Sequence, residues 1–311
     1  MKKKIFKCII FIFILICILV FLSAFLRPKN NSVDFGMHYR GASGILAEQE
    51  NTIDTIIVGN SEAYSSIIPM ELWNDYGYTS YNCASPEQLL PLSLKMLKEV
   101  SKKQKPKVVI LEANNLYNTF ELGYAVDQMI NYNIKAFQYH DRWKNIRKED
   151  FGFKVNYDTV NVMKGYEFTR EIQPLEKKNS EEKKEARIPR YNQIYLKYLK
   201  KTCDKNNIKL IVIHVPNALY WSKEVHDSTQ NFCDAKGIEY LDLNMHEDET
   251  KIDWTKDTGD KGEHVNFTGA KKTTKYIGKY LNEKKYLPSH KKEEIHNTWD
   301  KQYEEYKKIV E

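Results

Sequence analysis

Thr55-Ile-Ile-Val-Gly-Asn-Ser61-Glu62 is the stretch on which the reading of this chain turns. Four successive β-branched residues suit a short strand buried on both faces, and the Gly-Asn-Ser-Glu that follows is a polar turn. The pattern leaves a serine hydroxyl at the end of a buried strand. A hydroxyl is a poor nucleophile at neutral pH until an adjacent base takes its proton. About 200 residues further on, Asp260-Lys-Gly-Glu-His264-Val-Asn266-Phe-Thr-Gly269 is a polar turn that leads into a helical pattern and carries a histidine. A strand-end serine with a histidine that folds back to it is what nucleophilic acyl chemistry requires.

Working outward from that strand, the sequence alternates apolar runs with helical periodicity. Strands are expected at 54–58, 78–83, 107–112, 208–214 and 238–241, the third announced by Pro106. Helices are expected at 69–76, 87–103, 191–206, 228–236, 269–281 and 291–310. Such alternation predicts an α/β fold with an open, mainly parallel sheet and helices on both faces. In sheets of that kind functional groups gather beyond the carboxyl ends of the strands, where Ser61, Asn114, Pro216 and Asp242 all fall. The expected organisation is a basic and membrane-spanning segment at 1–29, a linker at 30–50, and a catalytic domain at 51–288. An irregular helical insertion is expected at about 119–187, charged between 177 and 187, and a charged helix at 289–311.

Residues 8–26 form an uncharged, almost wholly apolar run of 19 residues. At 1.5 Å per residue this covers roughly 28 Å, close to the hydrocarbon thickness of a bilayer. Lys2, Lys3, Lys4 and Lys7 precede it and only Arg27 and Lys29 follow closely, which favours a cytoplasmic N-terminus and an exported remainder. A cleaved signal peptide is the alternative. The run is long for a signal core, and Ser23-Ala24-Phe25 is a poor small-x-small cleavage site, so the segment reads as a single-pass anchor.

The remaining chain, about 280 residues, is long enough for one domain with a full core. Cys8 and Cys17 lie in the apolar run. Cys83, Cys203 and Cys233 allow at most one bridge and make no C-x-x-C metal or redox site. The net charge of +6 is spread along the chain, and Lys102-Lys103, Lys177-Lys178 and Lys183-Lys184 read as solvated surface. A nucleic-acid partner would want a clustered basic face, so that class is set aside. The histidines are scattered without ligand spacing, and no metal or cofactor is expected.

With these residues in view, the chain resembles the SGNH/GDSL hydrolase superfamily, flavodoxin-like α/β esterases and acyltransferases marked by four short blocks. Gly59-Asn60-Ser61-Glu62 resembles the first block, which makes Ser61 the nucleophile. Tyr81-Asn82-Cys83-Ala84-Ser85 sits where the second block supplies a glycine amide to the oxyanion hole, with Ala84 in the glycine's place. Glu112-Ala-Asn114-Asn115 resembles the third, Gly-x-Asn-Asp, with Asn114 as oxyanion donor and Glu112 replacing the glycine. The fourth block is Asp-x-x-His, and here the pattern departs. Lys261 stands three before His264, while Asp260 stands four before and Glu263 one before. Asp260 is the expected third member, with a turn at Gly262 absorbing the extra residue; Glu263 is the alternative, and some relatives work as a Ser–His dyad.

The resemblance implies acyl transfer through an acyl-serine, with Ser61 attacking, His264 accepting its proton and Asp260 orienting the imidazole. Membrane-tethered members include alginate and cell-wall O-acetyltransferases and the D-alanyl transfer protein of teichoic acid modification. They work beside a polytopic membrane-bound O-acyltransferase. The implied acceptor is therefore a cell-surface polysaccharide or teichoic-type polymer. An exported carbohydrate esterase and a catalytically silent glycan-binding or scaffold domain are the other two readings. Glu62 and Asn266, beside the nucleophile and the base, are candidate substrate contacts. So are His140 and Arg142, in the polar-aromatic cluster Tyr139-His140-Asp141-Arg142-Trp143, for which a solvated helix face is the plainer reading.

Overall fold

The computed structural model describes the chain except Met1, Tyr39, 119–121 and 176–185, and gives the backbone alone for Arg40 and Leu122. Most of the charged run expected at 177–187 lies outside the described residues. The chain forms two compact units, one of residues 1–40 with 121–159 and one of residues 41–120 with 160–311.

The larger unit holds a five-stranded sheet, β1 Thr55–Val58, β2 Ser80–Asn82, β3 Val108–Glu112, β4 Lys209–His214 and β5 Glu239–Asp242. Each neighbouring pair is parallel, and the strand order is β2-β1-β3-β4-β5. That is the flavodoxin-like doubly wound order, in which the switch point lies between β1 and β3. The expected fold class holds, and every strand lies within two residues of its expected bounds. Ile57, Ile110, Ile211 and Ile213 are buried in a core with Leu72, Leu241, Ile277 and Leu281. Each such side chain contributes on the order of 1.5–3 kcal/mol by leaving water.

The helix after β1, Ser61–Ser66, begins at the serine itself. Gly59 makes this close strand-to-helix turn with φ +154°, and a Cβ there would meet Glu112 Cβ at 2.8 Å and Ala63 Cβ at 3.0 Å. Gly59→Ala should therefore cost about 2–4 kcal/mol, from strained backbone and overpacking together, read as a lower denaturant midpoint at unchanged slope.

Other expected helices are shifted by up to five residues at one end or both. Leu90–Val100 begins late because Pro91 fits a first turn and not an interior. Lys223–Lys236 begins early because the Ser222 hydroxyl accepts from Val225 N. The C-terminal helix His296–Val310 packs on Pro69–Tyr76: Trp299 lies 5.2 Å from Trp73, and the Tyr306 hydroxyl donates to Glu71 at 2.9 Å. The segment 30–50, expected as a linker, divides between the units at residue 40, and Met37, Ala42 and Ile45 within it are buried.

In the smaller unit, Lys2–Leu26 is one continuous helix, long and apolar enough to cross a membrane. Residues 121–159, expected to belong to the catalytic domain, group with it instead. They supply the helix Leu122–Asn133 and the short 3-10 turns His140–Asn145 and Lys148–Gly152.

Candidate active site

The carboxyl ends of β1, β3, β4 and β5 lie side by side because the strands are parallel and in register: Val58 pairs with Leu111, Glu112 with Ile213, and His214 with Asp242. The residues that follow those ends make the site.

His264 sits on a loop tied down from several sides. Thr258 Oγ1 donates to the His264 carbonyl at 2.9 Å and accepts from Gly262 N at 2.8 Å. Asn217, just past β4, donates its amide to the Glu263 carbonyl at 3.0 Å, and Ala218 N reaches the Gly262 carbonyl at 3.1 Å. Lys261 and Gly262 both take positive φ, +62° and +98°. This tight turn lets Asp260 reach forward four residues to His264. Its Oδ1 accepts from His264 N at 2.7 Å, and its Oδ2 lies 2.5 Å from His264 Nδ1. With a carboxylate on Nδ1, that nitrogen carries the proton and Nε2 is left basic. Nε2 is buried and makes no hydrogen bond.

Burial alone would lower the pKa of His264. The hydrogen bond and charge of Asp260 outweigh it, with Glu62 and Glu263 adding, and hold it above its ordinary value. Burial likewise pushes Asp260 up, but its bonds from His264 prevail and hold it below the usual carboxylate range.

Asn114 stands on a short 3-10 turn that Glu112 caps, its carboxylate accepting from Asn114 N at 3.1 Å and Asn115 N at 3.3 Å. Glu112 is fully buried at the end of β3; burial first, then the charge of Glu62, raise its pKa well above the ordinary value. Behind Asn114, Oδ1 lies 3.0 Å from His214 Nε2. His214 is buried at the end of β4, and burial lowers its pKa to about 4, so it is a neutral donor to that oxygen. With Oδ1 held by the histidine, Asn114 Nδ2 points to Glu62 Oε1 at 3.2 Å. The other oxygen of Glu62 accepts from Ser61 Oγ at 3.4 Å. Glu62 thus bridges the candidate nucleophile and the candidate oxyanion donor.

Three expected contacts change character here. Glu62 is buried at the heart of this cluster, and burial raises its pKa; it is not a surface handle for substrate. Asn266 is committed to backbone. It accepts from Thr268 N and Gly269 N as helix cap and donates to the Glu171 and Lys256 carbonyls, which leaves its amide nothing for a ligand. Arg142, in the smaller unit, is buried on Asp150 and the Leu26 carbonyl, so its guanidinium is likewise spent. His140, beside it, is exposed with Nδ1 on the Phe137 carbonyl at 2.7 Å. The Ala84 amide points to Asn82 Oδ1 at 3.1 Å. Ser61, His264, Asp260 and Asn114 lie in the larger unit at the strand ends.

Not foreseen from the sequence were the capping role of Glu112 and the brace behind Asn114. A glutamate ending a Val-Val-Ile-Leu strand, two residues before an asparagine, has the spacing of a side-chain cap and was the available signal. The brace continues from His214 to Tyr240 and Asp242 through 3.3 and 2.9 Å contacts, with Trp221 and His226 also on Asp242 at 2.8 Å. Asp260, Glu263 and His264 also bring three donor atoms within 4.8 Å of one another. A cation held there would have to compete with the Asp260–His264 bond.

Two variants separate these parts. Asn114→Ala should lower turnover by on the order of 100- to 1000-fold if its amide meets a developing oxyanion. It should also cost about 1–3 kcal/mol, because His214 Nε2 is left buried without an acceptor. Glu62→Gln removes a negative charge that favours protonated His264. A base must be unprotonated to work, so the acidic limb of kcat/KM should move to lower pH, by roughly one unit or less. An unmoved limb means Glu62 carries no charge in the working enzyme.

No protein-family model matches the chain, and no curated protein matches it. Solved structures do resemble it. One is a GDSL-like lipase from Bacteroides thetaiotaomicron, 13% identical, covering 79% of this chain and 98% of its own, with TM-score 0.38. Another is a psychrotrophic esterase from a Pseudoalteromonas species, 12% identical over 75% and 98%, with TM-score 0.38. A third is described as a lipolytic protein of the G-D-S-L family from Desulfitobacterium hafniense, 11% identical over 73% and 99%, with TM-score 0.40. The fold assignment itself rests on the strand order and register.

Proposed function

We propose that this chain is a membrane-anchored, extracytoplasmic serine acyltransferase or esterase that works through an acyl-serine on a cell-surface polysaccharide or teichoic-type polymer. One observation carries the reading: His264 Nδ1 is 2.5 Å from Asp260, and its Nε2 is buried without a partner, on a loop beside the strand end that bears Ser61. An imidazole held in that tautomer is poised to take a proton.

In the proposed mechanism His264 Nε2 removes the Ser61 proton as Oγ attacks the acyl carbonyl. Asp260 stabilises the imidazolium, and Asn114 Nδ2 receives the oxyanion once Glu62 gives it up. Collapse expels the first alcohol with the proton from His264 and leaves the acyl-serine. Water or a sugar hydroxyl, deprotonated by the same histidine, then takes the acyl group. An exported domain meets no cytosolic acyl donor, which favours a membrane-bound O-acyltransferase as the supplying partner. Without that partner the same site is a carbohydrate esterase.

The test is to mix the full chain with p-nitrophenyl acetate, quench in acid and map the adduct, with and without a soluble glycan acceptor. An acetyl group on the Ser61 peptide, discharged faster with glycan, supports the transferase; discharge indifferent to glycan supports the esterase. One observation favours a silent domain instead: the Ser61 hydroxyl bonds Glu62 rather than His264. Absence of any acetyl-serine would select that reading.

A further inference from the structure

We propose that the segment 143–153 is a membrane-interface collar, with Phe151 and Phe153 seated in the lipid beside the last turns of the N-terminal helix. The inference rests on that helix spanning the bilayer and deepens the anchored reading. Phe21 and Phe25 stack with centroids 6.0 Å apart, and both reach across to the insertion. Phe25 meets Phe151 edge-on at 5.4 Å, while Phe153 lies 6.0 Å from Phe21 and 6.4 Å from Phe25. Phe21 is five residues before the helix end, about 7 Å along its axis. Whatever depth the helix end has, these phenylalanines share it.

They are also left open. Phe151 is 66% exposed, Phe153 46% and Trp143 64%, and the helix surface they adjoin is itself exposed through Phe21. Water would penalise such a patch, whereas a bilayer edge favours phenylalanine below and tryptophan at the headgroups. Exposed Lys144, Lys148 and Lys154 alternate with these aromatics and suit anionic headgroups.

The polar chemistry at the helix end agrees. Lys29 Nζ takes the Ala24, Phe25 and Arg27 carbonyls at 2.7, 2.9 and 2.7 Å, and Arg142 takes the Leu26 carbonyl at 2.5 Å. These are carbonyls that a helix end leaves open and that a bilayer could not satisfy. Arg142 is in turn fixed on Asp150 at 3.0 and 3.2 Å, which holds the aromatic segment to the helix. Ala136 N donates to Ser23 Oγ at 3.1 Å. A helix end bonded this way to the rest of its unit is built to be kept, not cleaved.

The experiment places a photoreactive benzoylphenylalanine at position 13, 151 or 153, one at a time, in the full chain. Each variant is reconstituted in phosphatidylethanolamine–phosphatidylglycerol vesicles, irradiated, and the peptides are searched for phospholipid adducts by mass spectrometry. The expected result is adducts at all three positions. Adducts at 13 without any at 151 or 153, or protein–protein crosslinks there, would overturn the collar and leave the anchor standing. No lipid adduct at position 13 would overturn the spanning helix, and the collar with it.

Discussion

Ser61→Ala should abolish acyl transfer, lowering turnover by on the order of 10⁵- to 10⁶-fold while the fold stays intact. The two halves of this expectation come from different observations. The hydroxyl makes only a 3.4 Å bond to Glu62, so its loss should change stability by less than about 0.5 kcal/mol. The chemistry has no substitute for it, because no other hydroxyl is placed by the turn at Gly59. His264→Ala should cost about as much, and the double variant little more than either, since nucleophile and base act as a unit. Steady-state kinetics on an activated ester, with a denaturant melt of each variant, checks both halves. Additive losses, or a loss that tracks unfolding, would show that the two residues do not share a step.

Asp260→Asn should lower turnover by on the order of 10⁴-fold, with the shape of the loop kept. The carboxylate does two things at once: Oδ1 accepts from His264 N at 2.7 Å and Oδ2 from Nδ1 at 2.5 Å. An amide can keep the first bond only by presenting NH₂ to Nδ1. That forces the proton onto Nε2, and the imidazole can no longer act as base. The pH profile gives an independent sign. Asp260 raises the pKa of His264 against the opposing effect of burial, so its loss lets that pKa fall. The residual activity should therefore show its acidic limb at lower pH than the parent. Glu62→Gln moves the limb the same way but keeps the tautomer, so it should lack the 10⁴-fold loss. Glu263→Gln is the control: Glu263 adds charge near His264 but does not hold Nδ1, and its removal should leave most of the turnover.

Much of the fold was legible because the sheet is buried on both faces. Thr-Ile-Ile-Val, Val-Val-Ile-Leu and Leu-Ile-Val-Ile stand out against a polar chain, and parallel pairing follows once helices separate them. The contact between Asp260 and His264, four residues apart, was legible through local turn chemistry, with Gly262 as the signal. What stayed hidden depends on contacts distant in sequence. That Glu62 faces Asn114, 52 residues away, and that Asn114 leans on His214, 100 residues further on, follows only from strand order. The same limit explains Arg142 and Asn266. Their residue types suit ligand binding, but a buried carboxylate and a row of helix-start amides had already claimed them. The insertion showed no period strong enough to reveal that residues 121–159 join the N-terminal helix.

The most direct test of the central claim is intact-mass labelling of the full chain in detergent with a serine-reactive fluorophosphonate. The expected result is one adduct, mapped to the Ser61 peptide and lost in both Ser61→Ala and His264→Ala. A folded protein that takes no label, or a label that survives Ser61→Ala, would contradict it.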